Sequence, residues 1–81
     1  MNTYLSKYFQ IVSIRQDCIE IKSAYHFWRI IERDGVFFLH HKHNQNNPYH
    51  AQRSTPFPSL YSIKKYILRH DEYVSEFKIF D

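Results

Sequence analysis

Cysteine and glycine are almost absent from this 81-residue chain, since each occurs only once. With Cys18 alone, neither an intramolecular disulfide nor a cysteine-rich zinc site can form, and nothing indicates an oxidising compartment. With one glycine, a glycine-rich phosphate loop and a nucleophile elbow are both excluded. Function must then depend on other features, of which charge and aromatic content are the most distinctive.

Long apolar segments are also missing. No stretch approaches the roughly 18 apolar residues that a membrane span requires, and residues 1–9 lack an apolar segment behind a basic start. We therefore predict no membrane association and a cytoplasmic location. A chain of this length buries only ~60% of the surface that its unfolded form exposes, which predicts one domain over residues 1–81.

Carboxylates are absent between Asp34 and Asp71, although the formal net charge is only +3. The lysines and arginines of this interval are Lys42, Arg53, Lys64, Lys65 and Arg69. Most of the histidines lie there too, namely His40, His41, His43, His50 and His70. This asymmetry favours partners with negative charge, either phosphates or an acidic protein surface.

Aromatic residues make up 19% of the chain, which supplies large side chains for a core without covalent staples. The strongest local signal is Asp34-Gly35, between two apolar runs. This dipeptide favours a type I′ turn, because both residues tolerate positive φ. It predicts an antiparallel hairpin over about residues 25–43, with Arg33 opposite Val36 and later pairs following in register.

This register divides the hairpin into two faces. The face predicted to turn toward the core carries Trp28, Ile30, Phe37 and Leu39, with His26, His41 and His43 toward its open end. The opposite face, called the outer face below, combines cations with apolar side chains: Phe27, Arg29, Ile31, Arg33, Phe38, His40 and Lys42. An alternative is that the apolar residues of the outer face form a second core face, with the cations at its edges.

The remaining segments complete an α+β prediction. Ile19 and Ile21 alternate with charged residues and indicate a strand, whereas residues 1–16 fit either a helix or a strand. Residues 49–54 fit a further strand. Ser59 follows two prolines and is a good N-cap, so a helix is predicted from about Ser59 to His70. Beyond Asp71 a helical pattern competes with a strand pattern that reaches Ile79, and we favour an end near His70.

The predicted fold is thus a small antiparallel sheet of three to four strands, with the hairpin turning at Asp34-Gly35 in its centre, packed by a C-terminal helix. A three-stranded sheet followed by a helix is similar to sheet-reading DNA-binding modules such as the arm-binding domains of phage-type integrases. The likeness is one of topology and includes no sequence motif.

The outer face is the basis of the main functional hypothesis, because a nucleic-acid surface needs cations for phosphates and flat groups for bases or sugars. We predict a small non-enzymatic nucleic-acid-binding or regulatory protein that contacts RNA or DNA mainly through phosphates. Phe27 or Phe38 would stack, and the polar contacts would come from Arg29, Arg33, His40, Lys42 and Arg53.

Two other functions use the same region. A protein-interaction module, either an inhibitor or a homodimer, would use Phe27, Ile31 and Phe38 as an apolar patch. A metal-independent nuclease would use His40 and His50 as acid and base, with Lys42 or Arg53 stabilising the developing phosphorane charge.

A histidine metal site is a further alternative. His41 and His43 lie on one side of a strand, and the register brings His26 opposite His43, which supplies three nitrogen ligands. No Asp or Glu lies nearby in the sequence to orient these imidazoles. We therefore predict no metal site and no cofactor.

Overall fold

Five strands and two helices make up the computed structural model, which describes residues 2–78. In chain order they are α1 (Asn2–Ser6), β1 (Gln10–Arg15), β2 (Cys18–Lys22), β3 (Phe27–Arg33), β4 (Val36–Lys42), β5 (His50–Ala51) and α2 (Leu60–Lys78). The strands form one antiparallel sheet in the order β1-β2-β3-β4-β5. This arrangement confirms the α+β class and the central hairpin, since β3 is the middle strand.

The sheet has five strands, whereas three to four were predicted. The additional strand comes from the N-terminal segment, in which the β-branched Ile11 and Ile14 pair with Ile21 and Ile19 of β2. The residues before it form α1 instead, and Leu5 of this short helix is fully buried. Helical and strand patterns overlap in the sequence because one short element of each kind follows the other.

The hairpin turn and its register are confirmed. Asp34 and Gly35 have φ values of 55° and 79°, the left-handed conformation that a type I′ turn requires at both positions. Pairing runs without interruption from Arg33 opposite Val36 to Phe27 opposite Lys42. The predicted pair of His26 with His43 lies just beyond this ladder, where the ring centroids are 4.6 Å apart.

The core lies between one face of the sheet and α2. Trp28 and Leu39 contribute from the hairpin, Ile63 and Ile67 from α2, and all four are buried, with Trp28 at 0% exposure. Phe57 joins them from the loop before α2, where its backbone forms an isolated bridge to Phe37. The face predicted to turn inward is therefore the covered one.

Helix α2 begins after the predicted N-cap, since the backbone N–H of Ser62 donates to Ser59 Oγ at 3.2 Å. It ends at Lys78, and the prediction of an end near His70 is wrong. No proline or glycine interrupts residues 60–78, and the turn at Asp71 is held against the sheet by hydrogen bonds to Ser23 and Ala24. The competing strand pattern extends to Ile79, which lies outside the described residues.

The strand predicted over residues 49–54 is short. Only His50 and Ala51 pair with β4, and one more backbone bond joins Gln52 N–H to the Leu39 carbonyl at 2.9 Å. Proline then removes backbone donors and turns the chain toward α2. Within the described part of the chain, no helix is long and apolar enough to cross a membrane.

Candidate functional site

The outer face of the hairpin is not covered by α2, which packs on the opposite side. Trp28 at 0% exposure marks the covered face, whereas Arg29, Phe38, His40 and Lys42 are half-buried and Arg33 is exposed. Strand β2 extends the outer face, because Glu20 pairs with Arg29 and Arg29 with His40 in one row across three strands.

Cations of the outer face lie beside aromatic rings. Lys42 Nζ is 4.4 Å from the Tyr49 ring centroid and 5.5 Å from that of Phe27. The guanidinium carbon of Arg29 is 4.6 Å from the Tyr49 centroid. Arg33 lies 6.0 Å from the centroid of Phe38. Such cation–π contacts orient the cations while leaving polar hydrogens available.

Tyr49 belongs to the loop that follows β4, and its side chain lies over the outer face. Its hydroxyl lies near Glu20 on β2, and desolvation together with the interaction with this carboxylate raises the pKa of Tyr49 to about 12. Glu20 also accepts a hydrogen bond from Arg15 at 3.0 Å. The carboxylate within this patch is therefore already paired with a cation, and the net charge of the patch stays positive.

The imidazole of His40 is neutral and accepts a hydrogen bond from Arg29. Arg29 Nε–H donates to His40 Nδ1 at 3.4 Å, and burial together with the positive charge of Arg29 lowers the pKa of His40. An imidazole in this state contributes no positive charge near neutral pH. The positive charge of the outer face comes from its lysine and arginine side chains.

Arg53 has its contacts away from the hairpin. Its guanidinium lies 3.7 Å from the ring centroid of Phe57, and it donates to the carbonyl oxygens of Thr55 and Pro56. These contacts hold it against a core ring beside β5. The structure therefore brings together the predicted site residues of β3 and β4, and places Arg53 at a separate edge.

The proposed acid–base pair of a nuclease is divided between the two faces of the sheet. His40 pairs with Ala51, whereas His50 pairs with His41. Because neighbouring residues of a strand point to opposite faces, His40 and His50 are on opposite sides. The structure does not bring these two imidazoles together.

A second candidate site is a group of imidazoles at the open end of the covered face, called the histidine cluster below. His26, His41 and His70 each have a ring nitrogen within 4.8 Å of the others. Their ring centroids are 4.5 Å apart for His26 and His41, and 5.1 Å apart for the other two pairs. His43 lies beside them, 4.6 Å from His26.

The histidine cluster is partly buried, since His26 is buried and His41 and His70 are half-buried. Desolvation and the neighbouring imidazoles lower the pKa of His41 to about 4. Desolvation also lowers the pKa of His70, in spite of the opposing effect of Asp71. Among residues 2–78, His41 Nε2 and His70 Nδ1 are buried without a hydrogen-bond partner. Buried imidazole nitrogens normally have one.

A hydrogen-bond network lies next to the histidine cluster. The Trp28 indole N–H donates to Ser23 Oγ at 2.9 Å, and Ser23 Oγ donates to the Asp71 carboxylate at 3.0 Å. Asp71 also accepts the Ala24 N–H at 3.2 Å. This network ties the helical turn that contains His70 to the beginning of β3.

His26, His41 and His43 were predicted to lie together, whereas His70 was not predicted to join them. A signal for it was present, because His70 follows Ile63 by seven residues and Ile67 by three, so it shares the buried stripe of α2. Tyr49 was also omitted from the outer face. No periodicity places it there, because it belongs to an irregular loop.

Comparisons with known proteins add no family assignment. The chain matches no protein-family model, no curated protein and no solved structure. An assignment of function therefore depends on the outer face and the histidine cluster.

Proposed function

We propose that this chain is a non-enzymatic nucleic-acid-binding protein that uses the outer face to contact the phosphates of RNA or DNA in the cytoplasm. The observation that supports the proposal most directly is the uncovered face: Arg29, Arg33 and Lys42 lie on the side of the sheet opposite α2. If α2 packed over these residues instead, they would lie at the edge of the hydrophobic core.

The charge of the outer face supports the same proposal. Lys22 extends it on β2, where the ammonium is 5.9 Å from the Phe27 ring centroid. Glu20 is paired with Arg15 and offers little repulsion to a phosphate. Lysine and arginine side chains that neutralise phosphates release condensed counterions, which is the main source of sequence-independent affinity.

The rings of the outer face act as supports for the cations. Tyr49 has both Arg29 and Lys42 against it, and Phe38 has Arg33 nearby. An arginine against a ring is already ordered, so less conformational entropy is lost when its N–H groups meet a phosphate. The contacts therefore favour backbone recognition with weak sequence preference over base stacking by Phe27 or Phe38.

The test is a titration of short fluorescent RNA and DNA strands, followed by anisotropy from about 50 to 200 mM salt. The logarithm of the association constant should fall linearly with the logarithm of the salt concentration. Replacing Arg33 and Lys42 together by alanine should weaken binding to all sequences. It should also reduce the salt slope by about 1 for each cation removed.

A matched control replaces Lys65 and Arg69, which are exposed on the far face of α2, by alanine. This variant loses the same positive charge and should keep the affinity and salt slope of the unmodified protein. Equal weakening by both variants would overturn the outer-face assignment. So would absence of binding at the lowest salt concentration.

Sedimentation of the protein distinguishes the interaction-module alternative. A concentration-dependent dimer that dissociates in Phe38→Arg, combined with no affinity for nucleic acid, would overturn the proposal and assign the outer face to protein contacts. A monomer that binds RNA or DNA supports the proposal.

A further inference from the structure

We propose that His26, His41 and His70 bind a divalent transition-metal ion, with zinc as the expected occupant. Three imidazoles that converge from a loop, a strand and a helix form a donor set of the kind that zinc accepts with one open position. The site is on the covered side of the sheet and is separate from the outer face.

The spacing of the nitrogens is close to what coordination needs. At about 2.0–2.1 Å from zinc, two tetrahedral ligand atoms are about 3.4 Å apart. The candidate nitrogens lie within 4.8 Å of one another, so rotation of the side chains about χ1 and χ2 can bring them into range. The backbone positions are already fixed by β4 and α2.

Two ring nitrogens of the proposed ligands have no hydrogen-bond partner in the described part of the chain. Within residues 2–78, His41 Nε2 and His70 Nδ1 are buried and have no hydrogen-bond partner. Leaving a buried polar atom without a partner is unfavourable. A metal ion would accept the lone pairs of both nitrogens at once.

The surroundings hold the ligands and also admit an ion. Asp71 fixes the helical turn of His70 through hydrogen bonds with Ser23 and Ala24, and so holds the backbone of this ligand in place. His70 also lines an open groove of about 320 Å³ with Tyr66, Arg69 and Tyr73. This groove gives solvent access to His70.

One further imidazole lies next to the three proposed ligands. His43 is exposed, and its ring lies 4.6 Å from His26 and 5.0 Å from His41. It lies where it can complete the coordination sphere or contact a metal-bound water. All donors are nitrogen, which suits zinc, copper, nickel and cobalt better than calcium or magnesium.

Cobalt(II) is the probe of choice, because Trp28 is the only tryptophan and its ring centroid is 4.6 Å from that of His41. Tag-free protein freed of metal is titrated with Co²⁺. Binding should quench Trp28 fluorescence and produce the visible absorption bands of a tetrahedral cobalt complex. Added Zn²⁺ should restore the fluorescence and raise the melting temperature.

His70→Gln removes one donor of the proposed site at conserved polarity. Loss of an outer-shell partner alone costs about 10- to 100-fold in metal affinity, so this variant should bind Zn²⁺ at least about 100-fold more weakly. His40→Ala is the matched control, since His40 is the sequence neighbour of His41 on the opposite face. It should bind Zn²⁺ as the unmodified protein does.

A second measurement avoids dependence on folded variants. Diethylpyrocarbonate reacts with accessible imidazoles. When the protein without substitutions is treated with this reagent, mass spectrometry should show that Zn²⁺ protects His70 but not His40. Protection of both or neither, or a Zn²⁺ affinity equal in His70→Gln and His40→Ala, would overturn the proposal. Absence of quenching by Co²⁺ would overturn it as well.

Discussion

At the residue scale, Tyr49 connects the loop after β4 with three strands of the sheet. Its ring contacts Arg29 of β3 and Lys42 of β4, and its hydroxyl interacts with Glu20 of β2. The phenol is partly withdrawn from water by these contacts, so ionisation would place a negative charge in a desolvated position beside a carboxylate. One side chain therefore makes the outer face sensitive to alkaline pH.

Tyr49→Phe should change the alkaline limb of the stability profile. The folded-state pKa is raised from 10.0 to about 12, so between these pH values the unfolded chain releases the proton that the folded protein retains. The free energy of unfolding therefore falls as pH rises through this window. In Tyr49→Phe that loss should be absent, as measured by urea unfolding at several alkaline pH values.

Tyr73→Phe is the control for this measurement, because Tyr73 is 59% exposed. It should lose stability with rising pH as steeply as the unmodified protein. An equally steep profile in Tyr49→Phe would show that Tyr49 does not titrate abnormally.

At the scale of elements, the β3–β4 hairpin depends on its turn. Gly35 has a φ of 79°, and a Cβ added there would meet nothing within 4 Å. Any penalty for a larger residue is therefore conformational and does not come from a clash. Asp34 has the same left-handed backbone, which aspartate and asparagine tolerate better than most residues.

Gly35→Ala should therefore lower the free energy of unfolding by about 1–2 kcal/mol. Asp34→Asn should change the free energy of unfolding little, because asparagine before glycine adopts positive φ readily in a type I′ turn. Chemical denaturation of the two variants provides the measurement. A neutral Gly35→Ala would mean that the turn relaxes to another type at no cost.

Helix α2 presents different chemistry along its length. Its first turns contribute Ile63 and Ile67 to the core, and the next turn contributes His70 and Asp71 to the histidine cluster and its supporting network. The hydrogen bonds of Asp71 hold this turn beside Ser23 and Ala24, and the helix continues to Lys78 without an interrupting proline or glycine. The exposed Tyr73 and Phe77 stack on each other beyond this turn, with centroids 4.5 Å apart.

For the whole molecule, one buried cluster joins every large element. It contains Leu5 of α1, Trp28 of β3, Leu39 of β4 and Ile67 of α2, together with Phe57 from the loop before α2. No element has an apolar core of its own among the described residues. The prediction of one domain over residues 1–81 then has a direct thermodynamic test.

Unfolding by urea should follow one cooperative transition. Trp28 fluorescence reports on the core around β3, whereas far-ultraviolet circular dichroism reports mainly on α2, and the two midpoints should coincide. A helix that melts at lower urea concentration than the Trp28 signal would contradict the single-domain prediction.

Local sequence was sufficient for the features that depend on neighbours along the chain. The Asp34-Gly35 turn, the register of β3 with β4 and the Ser59 cap each follow from backbone preferences of a few residues, and all three are observed. The alternation along β3 separated the two faces and favoured the Trp28 face as the buried one, while a second core face remained an alternative. These features are short-range, so no knowledge of the partner elements was needed.

Tertiary structure decided the features that depend on where distant elements meet. The packing of α2 on the Trp28 face left the outer face open. It also brought His70 next to His26 and His41, which lie much earlier in the chain. Contacts within its own loop and with Phe57 place Arg53 apart from the hairpin, and α2 continues beyond Asp71. A sequence specifies such contacts only through the combined burial of many side chains, so periodicity alone could propose two faces but could not choose their partners.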